Sequence, residues 1–419
     1  MKRLLFVSHA FPPSRVPESL LVTRTVDALQ KLDWEITVLT ISETSGIGPI
    51  DNDLLNLIPP TVKVVRSKSL ERSLFSIPKI RGVIETILRS MGLPEKHFCW
   101  YPFAVHKGMN LIENSKIDII HSWSCPHTSN VVGLALKRAT GLPWVVHFSD
   151  PWVDSPYSEP TTFQLKNCVK LETSLINEAD AVVFITSQTA DMVMRKYDSE
   201  LKTKVRIIPH GYDSTLLKLF RESQRGDRRL RLVYTGSFYP NKRTPVSLLK
   251  ALATLKKQTI LNDQIELILI GPNTDVYRPE AERLGLNRVV SFHGQFSFMN
   301  SLRAMQDADV LVVIDAPSSE SSVFLPSKLV DYMMFEKPIL GITPLEGASA
   351  DLLRRLECLV VDSDDVAGIA KVVLKCFQMW RNGDLGVSQK FRDVAFEYNI
   401  ERTTKSLDDV LHKAIASAK

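Results

Sequence analysis

The sequence is poor in cysteine. Its five cysteines, Cys99, Cys125, Cys168, Cys358 and Cys376, are an odd number, widely scattered, and none belongs to a CxxC pair. That spacing argues against a disulfide framework and against a zinc site, so no metal is expected and the thiols read as reduced packing residues. No apolar run approaches the roughly 18 residues needed to cross a bilayer. The opening MKRLLFVSHAFPPS has a basic pair and a short apolar run like a signal peptide, but no small-residue cleavage site follows. It therefore reads as a buried first strand, and the protein as cytoplasmic. No GxGxxG follows that strand, where His9-Ala10-Phe11-Pro12-Pro13 stands instead, which tells against a nicotinamide oxidoreductase. A formal net charge of +5 is too mild to imply nucleic acid, and no recognisable nucleic-acid module is present. Tandem repeats and low-complexity tracts are absent too.

What is present is a chain of 419 residues, too long for one comfortable core, with 44% hydrophobic and 24% charged residues. Short β-branched runs alternate with longer amphipathic segments. In the first half the runs are Arg3–His9, Glu35–Thr40, Val62–Val65, Ile117–Trp123, Trp144–Phe148, Ala181–Thr186 and Val205–Pro209, with helical patterns such as Ser19–Lys31 and Ser129–Thr140 between them. The alternation restarts with Leu232–Thr235, Glu266–Ile270, Val289–His293, Val310–Asp315, Ile339–Ile342 and Leu359–Val361. Strands apolar on both faces and separated by helices predict an α/β protein with two doubly wound, Rossmann-like domains. The polar stretch Lys218–Arg231 reads as a linker. The expected division is 1–217, a linker at 218–231, a second domain over 232–390, and a strandless helical end at 391–419.

Charge is uneven. Between Thr61 and Asn110 nine Lys/Arg face three Asp/Glu, interleaved with Leu74, Phe75, Ile77, Ile80, Ile84, Leu88, Trp100 and Phe103. Such a stretch suits peripheral contact with an anionic membrane surface, or equally a solvated basic helix with a core-facing stripe.

Ligands of open parallel sheets bind at the carboxyl ends of the strands. The loops there are His9-Ala10-Phe11-Pro12-Pro13-Ser14-Arg15, followed by a helix containing Arg24; His121-Ser122-Trp123-Ser124-Cys125-Pro126-His127; and His147-Phe148-Ser149-Asp150-Pro151-Trp152. His, Asp, Trp and Arg together suit a sugar-like ligand, with rings against C–H surfaces and polar groups for hydroxyls. A single histidine is as readily a hydrogen-bonded structural residue. In the second half, Tyr234-Thr235-Gly236-Ser237-Phe238-Tyr239-Pro240-Asn241-Lys242-Arg243 puts a close-approach glycine and two cations before a helix. That is a diphosphate cradle, or a glycine turn with solvated charges. Leu325-Pro326-Ser327-Lys328-Leu329-Val330-Asp331-Tyr332-Met333 reads as a helix with proline at its first position and free amides at Ser327 and Lys328. A phosphate would be held there, and Asp331, a turn later, would accept from ribose hydroxyls. A well-capped helix with an internal Lys–Asp pair is the plain alternative.

With these segments, and with Ile208-Pro209-His210-Gly211-Tyr212-Asp213, the chain resembles over nearly its whole length the retaining glycosyltransferases of family 4. Within these it is most similar to bacterial members that build polysaccharide. The resemblance implies the GT-B fold, two domains facing across a cleft, with a last helix crossing back to the first. It implies transfer of a sugar from a UDP- or GDP-linked donor to a glycan or lipid-linked acceptor, with retained configuration and without cofactor or metal. Gly236, Ser237, Lys242, Arg243, His293, Gly294, Ser327, Lys328 and Asp331 match the donor side. His9, Phe11, His121, Trp123 and Trp152 fall on the acceptor side, and Asp150, His147 and Arg24 at the chemistry. The chain departs from the family where Val16-Pro17-Glu18 replaces a Gly-Gly turn, where Val323 replaces the first of two glutamates, and at His210 and Ser149. Those departures motivate an alternative, a GT-B-like protein that binds nucleotide or glycan without turnover. An epimerase on the same fold is a third reading.

Overall fold

The computed structural model describes residues 1–219, 229–239, 242–257, 264–316 and 322–418. The chain divides into two compact units, Met1–Gly211 with Ile400–Lys419, and Tyr212–Asn399. Each apolar run expected to be a strand is one. The first unit holds β1 (Lys2–Val7), β2 (Trp34–Ile41), β3 (Lys63–Ser67), β4 (Ile119–Trp123), β5 (Trp144–Phe148), β6 (Ala181–Phe184) and β7 (Val205–Ile207), in the order β3-β2-β1-β4-β5-β6-β7. The second holds β8 (Leu230–Thr235), β9 (Ile265–Ile270), β10 (Val290–His293), β11 (Val310–Ile314), β12 (Ile339–Ile342) and β13 (Leu359–Val361), in the order β10-β9-β8-β11-β12-β13. All the pairings are parallel.

Helices cover both faces, so successive side chains are buried on opposite sides. Leu5, Val7, Trp144 and Val146 pack with residues of the helices Tyr101–Asn114, Thr128–Thr140 and Thr162–Glu178. Leu4, Phe6 and Val145 pack with the helices Pro17–Gln30 and Ile400–Ser417. Each fully buried Leu, Ile or Phe contributes about 1.5–3 kcal/mol. From β1 the chain steps out through β2 and β3, returns to β4 on the other side of β1 and steps away through β5, β6 and β7; β8 to β10 and then β11 to β13 repeat this in the second sheet. Ligands of such sheets bind at the carboxyl ends of the strands beside those reversals.

Three local expectations change. Of the linker expected at 218–231, residues 220–228 lie outside the described residues, and Leu230 and Arg231 already belong to β8 because they pair with Ile265 and Glu266. Pro326 caps its helix from outside: its ψ of 129° is extended, and the helix is the seven residues Ser327–Met333. The helical end expected over 391–419 is two helices, Gln389–Phe396 and Ile400–Ser417. The break is a chain of turn bonds, Tyr398 N to Ala395 O and Asn399 N to Phe396 O, and Phe396 itself is exposed. Among the described residues no helix is long and apolar enough to cross a membrane.

Candidate functional site

In the second unit the loops after β8, β9 and β10 are held by close backbone contacts. Gly236, after β8, has φ +139°, and a Cβ there would lie 2.1 Å from Lys328 Nζ. Gly271, after β9, has φ +143°, and its Cβ would lie 2.1 Å from the Gly236 carbonyl oxygen. Gly271 N donates to the carbonyls of His293 (3.2 Å) and Gly294 (3.1 Å), which ties the ends of β9 and β10 together. The helix Ser327–Met333 is anchored to the sheet by Tyr332, whose hydroxyl accepts from Thr235 N at 3.0 Å and donates to Val312 O at 3.3 Å. One turn earlier, this anchor sets Lys328 above Gly236.

Lys328 Nζ donates to the Tyr234 hydroxyl at 3.0 Å and stands 4.1 Å from that ring's centroid. The same hydroxyl donates to Ser237 O at 3.1 Å, and Arg243 Nε donates to Ser237 O at 3.1 Å. Burial pushes the Lys328 ammonium far below its ordinary range, and the Arg243 charge adds to this while Asp315 opposes it. Burial likewise raises Asp315, against hydrogen bonds that include Thr343 Oγ1 to its Oδ2 at 3.1 Å. Two basic side chains thus sit together beside the glycine backbone of Gly236 and Gly271, with one buried carboxyl near them. An incoming polyanion would relieve their repulsion. Gly236, Ser237, Arg243, Lys328 and the His293 and Gly294 carbonyls are brought together, while Lys242 is exposed on the same loop and Asp331 is half-buried a turn beyond Ser327. Pro240 and Asn241 lie outside the described residues.

In the first unit a pocket of about 350 Å³ opens after β1, lined by His9, Phe11, Glu18, Glu71, Glu95 and His97 among others. Glu71 is fully buried; its Oε1 meets His9 Nε2 at 2.7 Å and its Oε2 meets His97 Nδ1 at 3.1 Å. Burial alone would raise the Glu71 carboxyl, but the bonds from His9 and His97 outweigh it and hold it at about 2. Burial lowers His9, against the hydrogen bond and charge of Glu71. Asp150 accepts from the pocket-lining Cys125 Sγ at 3.7 Å, and burial raises it to about 6. Burial raises Glu18 to about 7, with the Asp150 charge adding.

The structure takes other expected residues elsewhere. His121, Trp123 and His147 are buried among side chains of the Pro17–Gln30 and Ile400–Ser417 helices, on the sheet face that also holds Phe6. The His147 ring stacks on Trp123 with centroids 3.7 Å apart, and Trp123 lies 5.6 Å from His210. His121 Nδ1 donates to Val145 O at 3.0 Å. Burial lowers His121 to about 4 and His210 to about 3, so both are neutral near pH 7. The reason is the covered sheet face: these positions lie within β4 and β5, and alternation turns their side chains toward the helices packed on that face. Trp152 stacks on His127 at 4.8 Å within the opposite core, and Arg24 Nη1 donates to Gly211 O at 2.9 Å. Sequence reading missed Glu18, Glu71, Glu95 and His97. Three of these lie in or next to the stretch read as basic; its few carboxylates were the signal.

Residues 20–216 match the family model described as Glycosyltransferase Family 4, and residues 229–379 the model described as Glycosyl transferases group 1. No curated protein matches the chain. Among solved structures it is similar to sucrose-phosphate synthase from Thermosynechococcus elongatus, with TM-score 0.72 and 18% identity over 100% of both chains. It is similar to a glycosyltransferase from Rickettsia africae, with TM-score 0.66 and 12% identity over 99% of this chain and 98% of that one. A third is an E. coli structure described as trehalose-6-phosphate bound with UDP-2-fluoro glucose, with TM-score 0.65 and 11% identity over 98% of this chain and 99% of that one. The neighbours share the GT-B fold, and the two family models support a glycosyl transferase.

Proposed function

We propose that the protein moves a sugar from a UDP- or GDP-linked donor to a glycan or lipid-linked acceptor with retained configuration. The second unit takes the donor and the first takes the acceptor. The observation that carries this reading is the pairing of Lys328 and Arg243 beside the side-chain-free backbone of Gly236 and Gly271. Those cations balance charge on the departing diphosphate without a metal or cofactor. Ser327 and Asp331, on the same helix as Lys328, contact the phosphate and ribose. A donor phosphate oxygen assists the incoming hydroxyl, so no strong protein base is required. The UDP-sugar in the E. coli neighbour supports a nucleotide-sugar donor.

On the acceptor side the roles fall to Asp150, His9 and Phe11. Arg24 and His147 act through the fold, since one holds the Gly211 carbonyl and the other is stacked in the core. Asp150→Ala is expected to lower transfer while leaving UDP and GDP affinity near the parent value. Titration of nucleotide alongside turnover checks this, and equal loss of both would contradict the division of labour.

A second reading, a binder in polysaccharide assembly that turns nothing over, is favoured by Val323, which is buried where a donor-sugar carboxylate would stand. A panel of UDP-, GDP- and dTDP-sugars separates the two: donor hydrolysis or transfer supports the enzyme, and nucleotide binding without either supports the binder.

Peripheral membrane contact at the cytoplasmic face is part of the proposal. The helix Pro78–Ser90 and its cap expose Val83 (59%), Ile87 (50%) and Met91 (62%), with Arg81 and Arg89 on the same helix. Apolar side chains flanked by cations suit an anionic interface. Co-sedimentation with phosphatidylglycerol vesicles is expected, and Ile87→Glu should reduce it several-fold; no sedimentation by the parent protein would remove this part.

A further inference from the structure

We propose that His9, Glu71 and His97 bind one divalent transition-metal ion in the wall of the first unit's pocket, with zinc as the fitting probe. Three segments distant in sequence deliver these side chains: the loop after β1, the start of the helix Glu71–Phe75, and the 3-10 turn Lys96–Trp100. Two imidazole nitrogens and a carboxylate oxygen lie within 4.8 Å of one another. Without an ion, the contacts of 2.7 and 3.1 Å are hydrogen bonds. Zinc at about 2.0–2.2 Å from each ligand, in tetrahedral geometry, would hold neighbouring ligand atoms roughly 3.3 Å apart. The ion would therefore replace the shared protons: the two hydrogen-bonded contacts would open by a few tenths of an ångström, and ligand atoms now as far apart as 4.8 Å would close by up to about 1.5 Å.

The surroundings fit a cation. Glu18, Glu43 and Glu95 line the same pocket, and Arg66 is the one Lys or Arg among its lining residues. That guanidinium is already engaged, donating to Pro12 O at 2.5 Å and Ile41 O at 3.3 Å and pairing with Glu43 Oε1 at 3.2 Å. Glu71 is held in orientation by Ser69, whose Oγ donates to Oε1 at 3.3 Å and accepts from Glu71 N at 3.2 Å. The His9 ring is held by edge contacts with Trp100 at 5.3 Å and His97 at 4.6 Å. Such outer support is what metal-ligating side chains require. Two imidazoles favour zinc, cobalt or nickel over magnesium and calcium. Three protein ligands leave a place for a hydroxyl of whatever occupies the pocket.

The test uses tag-free, metal-stripped full-length protein at pH 7.5. Zinc is titrated in competition with a chromophoric chelator, and cobalt is added separately to read its visible spectrum. One zinc per chain is expected, with cobalt giving the intense bands of four- or five-coordination. Glu71→Gln and His97→Ala should each weaken zinc by more than the roughly 10- to 100-fold that losing an outer partner costs, and abolish the cobalt bands. His106→Ala, an exposed histidine, should change neither. Glu71→Gln keeps an acceptor for one histidine, and its melting curve checks folding; the half-buried His97 gives the second variant. Absence of stoichiometric zinc in the parent, or zinc unchanged in both variants, overturns the site and leaves a hydrogen-bonded triad. Because the readout is metal binding, failure here leaves the transferase reading standing, and a protein without transfer activity could still bind zinc.

Discussion

Lys328→Ala is expected to weaken binding of UDP or GDP by roughly 5- to 150-fold, about 1–3 kcal/mol, the range for a charge-assisted contact. The fold should survive, since the ammonium is held by a single bond to the Tyr234 hydroxyl and by contact with its ring. Burial and the Arg243 charge hold the free ammonium far below its ordinary range. A diphosphate placed against it favours the charged form and moves the group back up. Between the depressed and the restored value, binding takes up as much as one proton. Calorimetry of nucleotide binding in two buffers of different ionisation enthalpy reads this uptake in the parent protein and its loss in the variant. An unchanged dissociation constant would remove Lys328 from the donor site.

Gly271→Ala should destabilise the second unit by about 3 kcal/mol or more and abolish nucleotide binding. Its φ of +143° is a region that side-chain-bearing residues scarcely populate, and the added Cβ would meet the Gly236 carbonyl at 2.1 Å. Backbone cannot rotate away as a side-chain tip can, so the loops after β8 and β9 must separate. Gly285 provides the contrast: its φ is +72°, and a Cβ there meets nothing within 4 Å. Gly285→Ala should cost about 1 kcal/mol, the left-handed backbone alone. Urea unfolding of both variants decides the matter. Equal, small losses would show that the close approach of Gly236 and Gly271 is not what shapes the cradle.

The thirteen strands among the described residues were legible because their signal is local. A run such as Trp144-Val145-Val146 declares a strand buried on both faces whatever lies elsewhere in the chain. The donor cradle was partly legible for a related reason: Gly236, Arg243 and Lys328 sit next to strand ends, and strand ends in a parallel sheet converge. Which residues a strand end offers to a ligand was harder to read. His121, Trp123 and His147 stand at the ends of their strand runs and were also read as loop residues offered to a sugar, yet they belong to β4 and β5, and the helices packed on that sheet face bury them. Pro326 shows the same margin at a helix, where an extended ψ moves the start by one position.

The sequence by itself determined the α/β class, the two series of strands and the loops in which a nucleotide would be met, since period and punctuation are properties of neighbouring residues. Only the tertiary structure decided that His9, Glu71 and His97 meet, 62 and 26 residues apart along the chain. It also decided that Lys328 rests on Tyr234 across 94 residues. Such meetings depend on how helices pack on a sheet and in what order its strands lie, and no stretch of a few residues carries that information.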